Sequence, residues 1–81
     1  MVTYFDIQSA YDAMTPRYPE LRGNVAVITG AAKGIGQGIA IRLAREDMKV
    51  VVADSDKESL AFTVNSLREL GTTALDFHGD L

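Results

Sequence analysis

The stretch VITGAAKGIGQGIA, Val27 to Ala40, sets four glycines within nine residues, between an apolar run and a helix-like pattern. A strand that ends in a tight turn and feeds straight into a helix aims several unpaired amides and the positive end of the helix dipole at one point. A phosphate fits such a point. Gly30 would allow the turn, Gly34 would let a pyrophosphate approach the backbone, and Gly36 would let the helix lie against the strand. Helix–sheet packing alone would need one or two glycines, not a cluster at this junction. The spacing is Gly-x-x-x-Gly-x-Gly, which is neither Gly-x-Gly-x-x-Gly nor a P-loop, because Lys33 precedes Gly34 and Ile35 follows it.

Asp54 is the second candidate. It lies 18 residues after Gly36, close to the ~20 expected for a ribose-binding acid, and ends an apolar strand-like run. The alternative is a solvated acid at a strand end. His78, the only histidine, reads as a solvated loop residue, and Asp54 and Asp56 have no second acidic cluster to join. No metal is expected.

Elements that would position these residues follow from periodicity. Tyr4, Ile7, Tyr11 and Met14 recur at spacings of three and four, one face of a short helix that Pro16 and Pro19 then stop. This peripheral arm, residues 1–22, reads as a patch on the protein's own surface, with a subunit contact as the alternative. VAVIT, Val25 to Thr29, is short, β-branched and continuously apolar, as in a buried parallel strand. Ile35, Ile39 and Leu43 mark the inner stripe of a helix from Gly34 to about Glu46, with Arg42, Arg45 and Glu46 mostly off it. KVVVAD is a second strand. SDKE then reads as a capping box between Ser55 and Glu58, opening a helix with Leu60, Val64 and Leu67 inward and Gly71 as its left-handed terminus. A third strand spans roughly Thr73 to Phe77. The order β-α-β-α-β calls for an α/β fold with a parallel sheet, strand order 3-2-1 and both helices on one face. The other face would lie bare, although the first two strands are apolar at successive positions.

Whole-chain properties exclude several function classes. The net charge of −3 supplies no basic field for nucleic acid, and the absence of cysteine removes disulfides and thiolate zinc sites. No apolar run reaches the ~20 residues of a membrane helix, and the first residues lack a signal-peptide pattern. Cytoplasm is the default expectation.

The turn TGAAKGIG, Thr29 to Gly36, resembles the Thr-Gly-x-x-x-Gly-x-Gly turn of the short-chain dehydrogenases/reductases. The resemblance runs from about Leu21 to Leu81 and includes Asp54 and the pair Asp80-Leu81. It implies that residues 23–81 form the first half of a dinucleotide-binding Rossmann domain, incomplete without a downstream half. It implies a cofactor site of Gly30, Ala32, Lys33, Gly34, Ile35, Gly36, Asp54, Ser55, Asp80 and Leu81, with the pyrophosphate on the turn, the adenosine ribose on Asp54 and the adenine near Asp80. Asp54 favours NAD, whereas Lys33, a basic residue before the second glycine, points to NADP; the fixed carboxylate outweighs the flexible ammonium, so NAD is expected. Asp47 stands where the family often has a glycine ending the first helix, so that helix end is expected to differ slightly. The family's catalytic serine and Tyr-x-x-x-Lys pair have no counterpart here, since Tyr4, Tyr11 and Tyr18 all precede the turn and none has lysine four residues on.

The implied parent is an oxidoreductase that interconverts a hydroxyl and a carbonyl, homo-oligomeric as a full-length protein. YPELRG resembles the start of bacterial glucose dehydrogenases of the family, which suggests a sugar or polyol beside acyl-thioester or steroid substrates. Two other classes stay open: a truncated, non-catalytic nucleotide-binding or interaction module, and an S-adenosylmethionine-dependent methyltransferase fragment, whose glycine spacing usually differs.

Overall fold

Three short apolar runs become a parallel sheet in the computed structural model, which describes residues 4–79. The elements are α1 (Tyr4–Ala13), a 3-10 turn (Pro19–Leu21), β1 (Val25–Thr29), α2 (Gly34–Arg45), β2 (Lys49–Asp54), α3 (Lys57–Glu69) and β3 (Ala74–His78). The strands lie in the order β1-β2-β3, the expected 3-2-1 counted from the other edge. Pairing is in step, with Val27 beside Val51 and Val51 beside Leu75. Alternation along each strand therefore sorts whole rows to one face or the other.

Ile28, Val50, Val52 and Ala74 face the helices and join Leu60, Val64 and Leu67 of α3 in one core. Fully burying an aliphatic side chain of this size contributes roughly 1.5–3 kcal/mol, so this layer dominates the stability. On the opposite face Val25, Val27, Leu75 and Phe77 are 52–66% exposed. VAVIT is thus buried on one side only, and among the described residues nothing covers the face that the crossovers leave bare.

The inner face of α2 differs from the expected one. Gln37, Ala40, Ile41 and Ala44 are buried, while Ile35 and Ile39 are exposed and Leu43 is half-buried. A Cβ on Gly36 would stand 2.9 Å from the Ala31 Cα and closer still to the Gly30 carbonyl. Gly36, Ala40 and Ala44 recur every four residues, so close approach to the turn selects the small-residue ridge over the isoleucine stripe.

Both crossover helices end in the same way. In α3 the Gly71 amide donates to Arg68 O and the Thr72 amide to Leu67 O, with Gly71 at φ +90°. In α2 the Asp47 amide donates to Ala44 O and the Met48 amide to Leu43 O, with Asp47 at φ 62°. This pair of bonds is the Schellman pattern. The α2 terminus therefore does not deviate; Asp47 takes the left-handed conformation itself, held by the Gly23 amide on its carbonyl and an exposed ion pair with Arg22 at 3.5 Å.

The arm is fixed more firmly than a surface patch. Ile7 of α1 is 1% exposed, and α1 packs on both α2 and α3. Tyr11 and Met14 are half-buried as the spacing expects, while the side chain of Tyr4 falls outside those described. Polar residues at the end of α2 hold the following segment by its backbone. Arg45 Nε donates to Met14 O at 2.9 Å, Arg42 to Thr15 O at 3.2 Å, and the amides of Arg17 and Tyr18 donate to the Glu46 carboxylate at 2.8–2.9 Å. The Arg45 guanidinium also lies 4.8 Å from the Tyr11 ring centroid. Burial opposes ionisation of Glu46, but the Tyr18 and Arg17 amides and the Arg42 guanidinium outweigh it and hold its pKa below the ordinary 4.5.

Two outcomes follow. Replacing Asp47 by glycine removes a left-handed cost of roughly 1–2 kcal/mol and adds unfolded-state entropy worth about 0.4–1. Asp47→Gly is therefore expected to raise stability modestly in thermal unfolding, and a lower melting temperature would contradict the strain argument. Because the Glu46 pKa is depressed on folding, its contribution is present above the unfolded value of 4.5 and lost as pH falls through the lower folded value. Hydrogen exchange of the Arg17 and Tyr18 amides is expected to stay protected at neutral pH and to lose protection selectively in acid, whereas Glu46→Gln loses part of that protection at neutral pH.

Candidate functional site

The C-terminal ends of the three strands bring Gly30, Asp54 and His78 to one edge of the sheet, where both crossovers depart. The chain leaves β1 through Gly30 at φ 62° and starts α2 through Gly34 at φ 66°, two left-handed positions that favour glycine. A Cβ at either would meet no protein atom within 4 Å, whereas one at Gly36 would collide with the turn. Gly36 thus permits packing, and the other two shape the backbone beside open space.

Between them the turn is pinned at Ala32, through the two peptides that meet at its Cα. Ala31 and Ala32 are buried, and the Ala32 amide donates to Asp54 Oδ2 at 3.0 Å. The Ala32 carbonyl accepts from Gln37 Nε2 at 3.1 Å and from Thr63 Oγ1 at 2.8 Å, and Gln37 Nε2 also donates to Thr63 Oγ1 at 2.9 Å. Gln37 and Thr63 are 6% and 0% exposed. After Ala32, Lys33 is the extended N-cap of α2 and its side chain caps no amide. The leading amides of α2, at Gly34, Ile35 and Gly36, are thus not claimed by a capping side chain. Ile35 is 86% exposed on this first turn.

Asp54 ends β2 half-exposed, with one oxygen on the Ala32 amide and the other on the Asp56 amide at 2.9 Å. The Asp56 and Ala32 amides hold its pKa below the ordinary aspartate value of 3.8 against a smaller opposing effect of burial. The carboxylate is therefore ionised, oriented and still open to solvent on one side. Ser55 is exposed beside it, and its carbonyl lies 3.0 Å from His78 Nε2. His78 belongs to β3 rather than to a loop. Asp80 and Leu81 lie outside the described residues.

The helix start after Asp54 corrects the expected capping box. Asp56, not Ser55, caps α3, accepting from the Ser59 amide at 3.2 Å and the Ser59 hydroxyl at 3.0 Å. Ser55 precedes the cap by one residue and does not close a box with Glu58. Asp56 also meets Lys33 Nζ at 3.5 Å, and the Ser59 amide and hydroxyl lower its pKa, with Lys33 adding to the effect. Neither the Lys33–Asp56 pair nor the Gln37–Thr63 pair has a local sequence signature, since each joins α3 or its cap to a segment more than twenty residues earlier. Among the described residues no group of three or more His, Cys, Asp and Glu stands together as a metal site, and no helix is long and apolar enough to cross a membrane.

A profile of the short chain dehydrogenase family matches residues 24–81. Cyclohexanol dehydrogenase of Rhodococcus sp. strain TK6 is 40% identical over 84% of the chain, and glucose 1-dehydrogenase 2 of Bacillus subtilis strain 168 is 37% identical over 79%. The chain spans 29% and 25% of those relatives' lengths. A short chain dehydrogenase/reductase from Burkholderia phymatum, solved in complex with NAD, superposes with a TM-score of 0.74 at 44% identity, covering 75% of this chain and 22% of that one. The pinned glycine turn, the acid ending β2 and these likenesses lead to one conclusion: the chain belongs to the short-chain dehydrogenase/reductase family.

Proposed function

We propose that residues 23–81 are the adenosine-binding half of a dinucleotide domain, preceded by an arm at residues 1–22, in an NAD-dependent oxidoreductase that interconverts a hydroxyl and a carbonyl. The observation that carries this reading is the pairing of an uncapped α2 N-terminus with an ionised Asp54 at one strand edge. Amides of Gly34, Ile35 and Gly36 would take the pyrophosphate, with Lys33 beside them, and the outer side of Asp54 would accept the ribose hydroxyls, with Ser55 adjacent. Gly30 and Ala32 shape the turn, and Asp80 and Leu81 would flank the adenine. The bound nicotinamide would supply the hydride. The residues here bind and orient the cofactor; they transfer no proton to substrate.

Several observations support NAD over NADP. A 2′-phosphate beside Asp54 would stand ~4 Å from a fixed carboxylate, a repulsion of about 4 kcal/mol per charge pair at an effective dielectric of 20. Lys33, the residue that would attract such a phosphate, is already paired with Asp56. The likeness to a structure in complex with NAD agrees. The names of the two curated relatives are those of enzymes acting on alcohols or sugars, which favours a sugar, polyol or simple alcohol as the substrate class of the longer protein. A homo-oligomeric, cytoplasmic parent fits the family reading.

In a calorimetric titration the chain is expected to bind NAD at least ~10-fold more tightly than NADP, a difference of about 1.4 kcal/mol. Equal or tighter NADP binding would refute the assignment of Asp54. The 81 residues carry no Tyr-x-x-x-Lys pair, so the purified chain is expected to leave NADH absorbance unchanged with any carbonyl substrate. Measurable turnover would overturn the allocation of roles.

A further inference from the structure

Ala32 is held through both of its peptides, by its amide and by its carbonyl, and the residues that hold the carbonyl lie on different helices. Gln37 is on the first turns of α2 and Thr63 in the middle of α3, 26 positions apart. Both lone pairs of the Ala32 carbonyl are engaged, at 3.1 and 2.8 Å. The Thr63 hydroxyl is committed as well, donating its one proton to Ala32 and accepting from Gln37 at 2.9 Å. All three groups are buried, where an unmatched polar atom is costly and a closed network is correspondingly rigid. The opposite side of the same residue carries the 3.0 Å bond to Asp54 Oδ2.

From this geometry we infer that Gln37 and Thr63 are positioning residues for the nucleotide site, locking the Ala32–Lys33 peptide so that Ala32, whose amide meets Asp54, and the glycine turn keep one fixed relation. The inference rests on the dinucleotide reading and deepens it. Residues 31 and 32 stand between the two left-handed glycines, which by themselves permit many conformations. Something other than glycine must select one. The Gln37–Thr63 bond does so from the buried side, leaving the solvent side to a ligand. It also ties α3 to the turn, so a displacement of α3 would move the amide that orients Asp54. Neither side chain needs to touch the nucleotide.

Thr63→Val keeps the shape and removes the hydroxyl, while Thr63→Ser keeps the hydroxyl and removes a methyl. The measurements are NAD affinity by calorimetry, helix content by circular dichroism, and hydrogen exchange of the Ala32 amide without ligand. Leu67→Val serves as a destabilised control, since Leu67 is fully buried in α3 but bonds to no part of the turn through its side chain. T63V is expected to keep its helix content, bind NAD about 10-fold more weakly, equivalent to 1.4 kcal/mol, and exchange the Ala32 amide faster. T63S and L67V are expected to bind within a few-fold of the unaltered chain. Undiminished binding and unchanged Ala32 exchange in T63V would overturn the inference, as would equal losses in T63V and L67V. Failure of the unaltered chain to bind NAD would overturn the nucleotide reading and this inference with it, a result distinct from either of those.

Discussion

The close approach of the α2 backbone to the glycine turn is the constraint on which the rest of the structure depends. Gly36 lies against Gly30 and Ala31 with no room for a Cβ, and this contact sets how near the first helix can come to the sheet. Once the helix is that near, the ridge in line with Gly36 must be small, so Ala40 and Ala44 turn inward beside Gln37 and Ile41, and Ile35 and Ile39 turn outward. The same proximity brings Gln37 within reach of Ala32 and Thr63. A packing requirement at one glycine thus propagates into helix rotation, and helix rotation into a buried hydrogen-bond network.

Backbone amides do most of the electrostatic work at the strand edge. Asp54 is held by two of them and Asp56 by another, so both acids are oriented by main chain, which has little freedom to rearrange. Lys33, by contrast, reaches Asp56 through a long exposed side chain. This asymmetry between a fixed anion and a movable cation underlies the proposed cofactor preference, since a fixed charge repels more reliably than a solvated one attracts.

The helix-covered side of the sheet is organised twice over, by apolar packing within and by polar contacts outside. Arg42, Arg45 and Glu46 bind the backbone of the arm and carry α1 onto the helix layer, where Ile7 enters the core. The opposite side has no such layer among the described residues, and its aliphatic rows stay in contact with solvent.

Periodicity and glycine spacing were enough to establish the element order, the parallel sheet, the inner stripe of α3 and the family turn, because these follow from local rules of burial and backbone freedom. Leu60, Val64 and Leu67 are buried as their four- and three-residue spacing demands, and Gly71 is left-handed as a helix terminus requires. Tertiary structure decided what depends on the distance between elements. The α2 face could not be read from apolar spacing, since two stripes were available and only contact with Gly30 chose between them. The α3 cap falls on Asp56, whose amide donates to Asp54 and whose carboxylate accepts from the Ser59 amide, contacts that depend on where β2 ends. Arg42, Arg45 and Glu46 lie mostly off the apolar stripe and show no partner in the sequence, because the carbonyls and amides of residues 14–18 carry no side-chain signature. Gln37 and Thr63 were invisible for the same reason: their shared partner is a peptide carbonyl, and only the folded chain brings it to them.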